Sequence, residues 1–278
     1  MIEVAILSTG SDGNCYILTT DHPFDPNAPK SIMIDCGVTN TAKKCAELGI
    51  DLNDISAICI THAHTDHVTS LKTVLNKMPK QCPICGTYEE LHAPVTLKHL
   101  PDSHEEILIE FEGLNETAEM MRLGNFAVIP ILADHDRDKP VHYYVSDGRN
   151  SVFVSCDNCK ITPRILEFMR ECDCVMLESN YSERAFETDM IDGKEVSVVY
   201  DMTLKNRIAC KAHTSNRAAK AIIDSLRGYV KKVILIHPSK FYNSYKTMVN
   251  EISPDDYSPD MRVRIADKKH CPFQERVK

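Results

Sequence analysis

The segment Thr61-His62-Ala63-His64-Thr65-Asp66-His67 places three imidazoles and a carboxylate within six residues. Such crowding serves no packing purpose, because several lone pairs are presented to one small volume. A cation can fill that volume, and imidazole nitrogen with carboxylate oxygen suits zinc, manganese or iron. In an extended segment, residues two apart point the same way, so His62 and His64 can grip one ion. Asp66 and His67, at a helix entrance, can then reach a second ion. The cluster alone does not complete two sites. Three further candidates stand at or just past the ends of apolar runs: His135 after Val-Ile-Pro-Ile-Leu, Asp157 after Ser-Val-Phe-Val-Ser, and His237 after Lys-Val-Ile-Leu-Ile. Ligands from several strand ends can meet at one edge of a sheet, where open α/β folds bind ligands. His22, His92, His99, His104 and His270 lie in polar or turn-like surroundings without a partner pattern, and His142 opens an apolar run as a structural residue.

The elements that must position these groups are legible as short apolar runs. Strands are predicted at Val4–Leu7, Cys15–Leu18, Ser31–Ile34, Ile55–Ile60, Val128–Leu132, His142–Val145, Val152–Ser155, Cys174–Leu177 and Lys232–Ile236. Helical periodicity follows several of them. Val68, Leu71, Leu75 and Met78 share a face after the His cluster. Ile165, Phe168 and Met169 do so after Pro163, and Ala219, Ile222, Ile223 and Leu226 after the cap candidates Ser215 and Asn216. Strands that alternate with helices predict an α/β layered fold. The chain of 278 residues reads as one domain. Polar excursions are expected at Asp102–Met121 and Glu183–Asn206, and a terminal extension from Ser253.

Composition narrows the function classes. No stretch approaches the roughly 20 apolar residues of a membrane span, and the start lacks the apolar core of an export signal, which predicts a soluble cytoplasmic protein. The 12 cysteines fit that setting as small hydrophobes, since several sit inside strand-like runs. The pairs Cys82/Cys85 and Cys156/Cys159 have zinc-knuckle spacing, but they lie far apart in the chain and the second flanks Asp157. A net charge of −8 argues against strong non-specific duplex binding, without excluding a local basic patch.

The HxHxDH signature His62-Ala63-His64-Thr65-Asp66-His67 resembles that of the metallo-β-lactamase superfamily. The resemblance implies an αββα sandwich of two similar halves. It also implies that His62, His64 and His135 hold one metal, that Asp66, His67 and His237 hold another, and that Asp157 bridges them. Further segments look like the YycJ/WalJ-type exonuclease branch. They are Ser8-Thr9-Gly10-Ser11-Asp12-Gly13-Asn14-Cys15-Tyr16, Ile34-Asp35-Cys36-Gly37, Leu177-Glu178-Ser179-Asn180 and Ala212-His213-Thr214-Ser215-Asn216. Glu178 and His213 also resemble a glutamate–histidine pair of tRNase Z. The chain departs from the branch at Ala212 for Gly, Tyr181 for His, Pro238 for Leu and Asn158-Cys159 for Thr-Gly, and Glu183–Asn206 looks longer.

The resemblance implies a binuclear phosphodiester hydrolase with two divalent cations, zinc first and manganese or iron as alternatives, acting on nucleic acid or nucleotides. Asp66 would help to orient the nucleophile, and His213, oriented by Glu178, would be the general acid. The alternatives are a phosphodiesterase of cyclic or short nucleotides, and a thioester or lactone hydrolase, which would leave Glu178 and His213 without a clear task. A metal-sensing or scaffold protein would keep the ligands without turnover. Native metal, digestion polarity and oligomeric state, a homo-oligomer included, stay open.

Overall fold

A computed structural model describes residues 1–78, 82–102, 107–111, 119–196 and 212–277. Sixteen strands follow in chain order: β1 (Ile2–Ser8), β2 (Cys15–Thr20), β3 (Ser31–Ile34), β4 (Ile55–Cys59), β5 (Ile84–Thr87), β6 (Leu108–Phe111), β7 (Met121–Leu123), β8 (Phe126–Leu132), β9 (Val141–Ser146), β10 (Ser151–Ser155), β11 (Cys174–Glu178), β12 (Met190–Ile191), β13 (Lys194–Glu195), β14 (Lys232–Ile236), β15 (Arg262–Ile265) and β16 (Phe273–Val277). They form two seven-stranded sheets, ordered β16-β1-β2-β3-β4-β5-β6 and β15-β14-β11-β10-β9-β8-β7, and a small β12-β13 hairpin. Each large sheet has an antiparallel meander (β1–β3 and β7–β10) continued by parallel strands.

Three apolar clusters make this a four-layer molecule. Ile6, Leu18, Ile34, Val128, Val145, Val154 and Ile236 pack between the sheets. Leu7, Ile17, Met33, Ile58 and Val68 face the helical layer outside the first sheet. Phe153, Val175, Leu235, Ile165, Ile223 and Met248 join the second sheet to the helices Pro163–Arg170, Asn216–Leu226 and Tyr245–Ile252. The central strands are buried on both faces, so they read as continuous apolar runs rather than alternating ones. This is the αββα sandwich that the resemblance implied.

Three expectations need correction. The stretch from Ser253 is no appendage, because β15 edges the second sheet beside β14 and β16 edges the first beside β1. Arg262-Val263-Arg264-Ile265 and Phe273-Gln274-Glu275-Arg276-Val277 are half-buried edge strands, and their charged outer faces hide the alternation in a polar composition. The excursion Asp102–Met121 contains β6, and Glu183–Asn206 contains the helix Glu183–Thr188 and the β12–β13 hairpin; 103–106, 112–118 and 197–206 lie outside the described residues. The helix after the His cluster is two short pieces, Thr65–Val68 and Leu71–Leu75. Ser70 diverts its N–H to the Cys36 carbonyl and its hydroxyl to that of Val38, which breaks the run.

Candidate metal centre

Strand direction brings the candidates together. β8, β10, β11 and β14 run the same way, so His135, Asp157, Glu178 and His237 emerge at one edge of the second sheet. The turn after β4 meets them there, fastened by Val141 N–H to the Thr61 carbonyl (2.9 Å) and by the Tyr143 hydroxyl to the Ile60 carbonyl (2.6 Å).

Three imidazole nitrogens converge first. His62 Nε2 lies 2.9 Å from His64 Nδ1, and His135 Nε2 lies 3.3 Å from it. In each ring the other nitrogen faces an acceptor outside the cluster. His62 Nδ1 meets Thr61 Oγ1 (3.1 Å), His135 Nδ1 the Ala212 carbonyl (2.7 Å), and His64 Nε2 the Asp136 carboxylate (3.3 Å). Those acceptors favour outward protons on His62 and His64, so their inner nitrogens face each other as lone pairs, while His135 Nε2 also lies 3.0 Å from Asp136 Oδ1. Burial holds the His62 pKa well below the usual histidine value and that of His64 at about 4, with the neighbouring imidazoles adding to the effect. Neutral imidazoles are what a metal requires.

The second group differs in charge. His67 Nε2 is 3.4 Å from Asp66 Oδ2, and His237 Nε2 is 3.5 Å from the same oxygen. His67 Nδ1–H donates to Asp35 Oδ2 at 2.7 Å. His237 Nδ1 is bound by Asp157 Oδ1 (2.8 Å) and Glu178 Oε1 (3.0 Å). Burial alone would lower both histidines, but Asp35, Asp66 and Asp157 around His67, and Asp157, Asp66 and Glu178 around His237, raise both well above the usual value. The pocket favours positive charge. Its clearest sign is His237 Nε2, a buried nitrogen with no hydrogen-bond partner among the described residues.

Asp157 lies between the groups. Its Oδ2 is 3.5 Å from His62 Nε2, 3.7 Å from His135 Nε2 and 3.6 Å from His67 Nε2. The residue is buried at φ +40°, a left-handed backbone that its surroundings must hold in place. Ligand-type atoms of His62, His64, His135 and Asp157 come within 4.8 Å of one another, as do those of Asp66, His67 and His237. The donor set therefore fits divalent cations, and the chain is a metal-binding one.

Beside this centre, His213 Nδ1 is 2.6 Å from Glu178 Oε1, and its ring lies 5.3 Å from those of both His135 and His237. Burial opposes a charge on His213, but the Glu178 carboxylate outweighs it and raises the pKa above the usual value. Glu178 is itself buried and held by the Asn158 and Thr214 N–H groups at Oε2 (2.8 and 2.9 Å). The side chain of His213 is 15% exposed, so a substrate can reach it.

Some contributors had no role assigned from sequence. Asp35 orients both His67 and the Thr61 hydroxyl (2.8 Å). Buried Glu90 accepts the Ala63 N–H at 2.7 Å and pairs with Arg137 at 3.4 Å, so it joins the two turns that carry His62, His64 and His135. Asn14 Nδ2 lies 3.0 Å from Asp66 Oδ2 and from His67 Nε2. Asp35 ends an apolar run and could have been suspected as a strand-end carboxylate, whereas nothing in Tyr88-Glu89-Glu90-Leu91 sets Glu90 apart. The cysteine pairs serve packing. Cys82 belongs to the outer cluster of the first sheet and Cys85 to the inter-sheet one, so they face opposite sides. Burial pushes the Cys156 thiol far up, and Cys82, Cys85 and Cys156 are buried thiols outside any disulfide.

Comparison with known proteins gives this geometry a family. Residues 30–237 match the beta-lactamase superfamily domain. The chain belongs to that superfamily. Within it, the chain is similar to the exodeoxyribonuclease WalJ of Streptococcus pneumoniae, 26% identical over 278 residues that cover 95% of this chain and 93% of the relative. Among solved structures it resembles the metallo-beta-lactamase fold protein YhfI from Bacillus subtilis, with TM-score 0.69, 14% identity, and 99% and 100% of the two chains covered. It also resembles the short form of human tRNase Z, with TM-score 0.65, 14% identity, and 99% of each chain covered. These two likenesses concern the fold. No helix among the described residues is long and apolar enough to cross a membrane.

Proposed function

We propose that this superfamily member, a metal-dependent hydrolase, cleaves phosphodiester bonds in nucleic acid as an exonuclease-like enzyme with two divalent cations, zinc first among them. The observation that carries the reading is the pair of buried Glu178 and partly exposed His213, 2.6 Å apart, at the edge of the ligand cluster. His62, His64 and His135 would hold one cation, Asp66, His67 and His237 the other, and Asp157 would serve both. When bound, such cations lower the pKa of water and offset charge on phosphate oxygens. The remaining work falls to the chain. Asp66, 23% exposed, is placed to orient the attacking water. His213 keeps Nδ1 on Glu178 and holds a proton at Nε2. The Glu178 carboxylate stabilises the His213 imidazolium beforehand; as water adds to phosphorus and releases a proton to solvent, the bond to the sugar oxygen breaks, that oxygen takes the His213 Nε2 proton, and the neutral ring then regains a proton from solvent. The name of the WalJ relative supports a DNA substrate, and that of tRNase Z supports phosphodiesters more broadly. Free buried thiols fit a cytosolic setting.

The test is His213→Ala, assayed on a thymidine dinucleotide and on bis-p-nitrophenyl phosphate. A general acid contributes about 10²–10⁴-fold where the leaving group needs a proton. The loss should be of that order on the dinucleotide and much smaller on the activated ester, with metal content unchanged by elemental analysis. Equal losses on both substrates would remove the general-acid role. Good turnover of a thioester or lactone with neither phosphodiester cleaved would remove the assignment itself.

A further inference from the structure

Asn158 follows Asp157 and is fully buried where three loops meet. Its N–H donates to Glu178 Oε2 at 2.8 Å, and its carbonyl accepts from the Thr214 hydroxyl at 2.6 Å. Thr214 donates its own N–H to the same Glu178 oxygen at 2.9 Å. The Asn158 side chain reaches another loop. Its Oδ1 accepts from His142 Nε2 at 3.2 Å and from the Asp134 N–H at 3.4 Å. Asp134 precedes His135, and its carbonyl accepts the Cys159 N–H at 2.7 Å. One residue thus connects the Asp157 loop, the Asp134–His135 loop and the Glu178–His213 pair.

Packing does not demand these links. His142 is buried, and burial keeps its ring neutral, so one nitrogen carries a proton and gives it to Asn158. His142 Nδ1 and Asn158 Nδ2 are buried without hydrogen-bond partners among the described residues. An apolar side chain at 142 with a small one at 158 would leave no such unpaired groups. A buried polar pair kept with part of its capacity unmet points to a demand other than stability. That demand is local. Asp157 holds a left-handed backbone, and the Asn158 N–H next to it fixes one oxygen of Glu178, which leaves Oε1 for His213 and His237.

We propose that Asn158, braced by His142, is a positioning residue that keeps the Glu178–His213 pair in register with the Asp157 carboxylate. The inference rests on the general-acid reading above and names the device that aims the acid.

The experiment compares Asn158→Ala, His142→Leu, His142→Gln and His213→Ala on the thymidine dinucleotide and on bis-p-nitrophenyl phosphate. A second readout is the His213 Nδ1–H proton resonance in metal-free, ¹⁵N-labelled protein. Asn158→Ala and His142→Leu should each lose about 10–10²-fold in kcat on the dinucleotide, the usual effect of removing an outer support. The loss on the activated ester should be far smaller, and the His213 resonance should shift or broaden. His142→Gln, whose amide can still donate to Asn158 Oδ1, should stay close to wild type in both readouts. Should Asn158→Ala fail to fold, the two His142 variants decide the matter in the same way. Equal losses on both substrates with the resonance in place would overturn the inference. If His213→Ala is selective for the dinucleotide and Asn158→Ala is not, the inference falls and the general acid stands. If His213→Ala is itself unselective, both fall.

Discussion

The first sheet delivers His62, His64, Asp66 and His67 from one continuous turn after β4, whereas the second delivers His135, Asp157, Glu178 and His237 from the ends of four strands. The two regions also hold their ligands differently. Local polar anchors fix the first: Asp35 under His67, Glu90 under Ala63 and Asn14 beside Asp66. The backbone at Gly37 belongs with them, because a Cβ there would stand 1.7 Å from the Asp66 carbonyl oxygen. Strand order fixes the second, and the Asp157 carboxylate reaches across both groups of imidazoles. A site assembled in this way should lose part of its function when a local anchor is removed and all of it when the shared carboxylate goes.

The sharpest break is Asp157→Ala. We expect turnover to fall to background and metal content to fall from about two ions per chain, while Cys156→Ser and Cys159→Ser retain most metal and activity. Metal loss in the cysteine variants with Asp157→Ala still loaded would show the shared carboxylate to be misassigned. Gly37→Ala comes next. Only hydrogen fits against Asp66, so the turn must shift, at a cost of about 3 kcal/mol or more by analogy with other severe backbone clashes. Elemental analysis should find the Asp66–His67–His237 position depleted and His62–His64–His135 still filled, near one ion per chain. Simultaneous loss of both ions would mean that the groups are not separable. Asp35→Asn is milder. It keeps the shape but removes the charge that orients His67, and should weaken metal affinity about 10–100-fold, read by competition with a chelating dye. An unchanged affinity would assign Asp35 to folding alone.

The smallest effect concerns a link between the regions. Asp12, in the loop after β1, pairs with Lys268 at 2.6 Å and Lys240 at 3.3 Å, both contributed by the second half of the chain. The Lys268 hydrogen bond holds the Asp12 carboxyl below its usual range. A depressed carboxylate stabilises the folded state above its unfolded value of about 4 and loses that contribution as pH falls through the lower folded value. The side chain is 35% exposed, so solvent screening keeps the contribution under about 1 kcal/mol. Urea melts of wild type and Asp12→Asn should differ slightly at pH 6 in low salt and coincide at pH 2. A gap that persists at pH 2 would assign the effect to shape rather than charge.

How much was legible follows from the same contrast. The nine strands read from apolar runs are all present, because a strand buried on both faces announces itself residue by residue. β5, β6, β7, β12, β13, β15 and β16 are not marked by apolar runs, being short or carrying charged residues on an exposed face. The ligand candidates after β8, β10 and β14 were found by position, one strand end at a time, and the structure brings them within reach of the cluster. Glu90 and the His142–Asn158 contact gave no signal, since each joins residues distant in the chain through a single hydrogen bond or two.

The sequence by itself determined the chemistry of the turn His62–His67, because four donors within six residues crowd together in any compact conformation. It also determined which strands lie inside, because burial of apolar runs is a local property of side chains. Tertiary structure alone decided which nitrogen of each imidazole faces inward, because that choice belongs to Thr61, Asp136, Ala212 and Asp35 as acceptors. It alone decided that Asp157 touches both groups, and that the last residues of the chain close both sheets. Those outcomes depend on strand order and register, which arise from contacts between segments far apart in sequence and leave no periodic trace in either one.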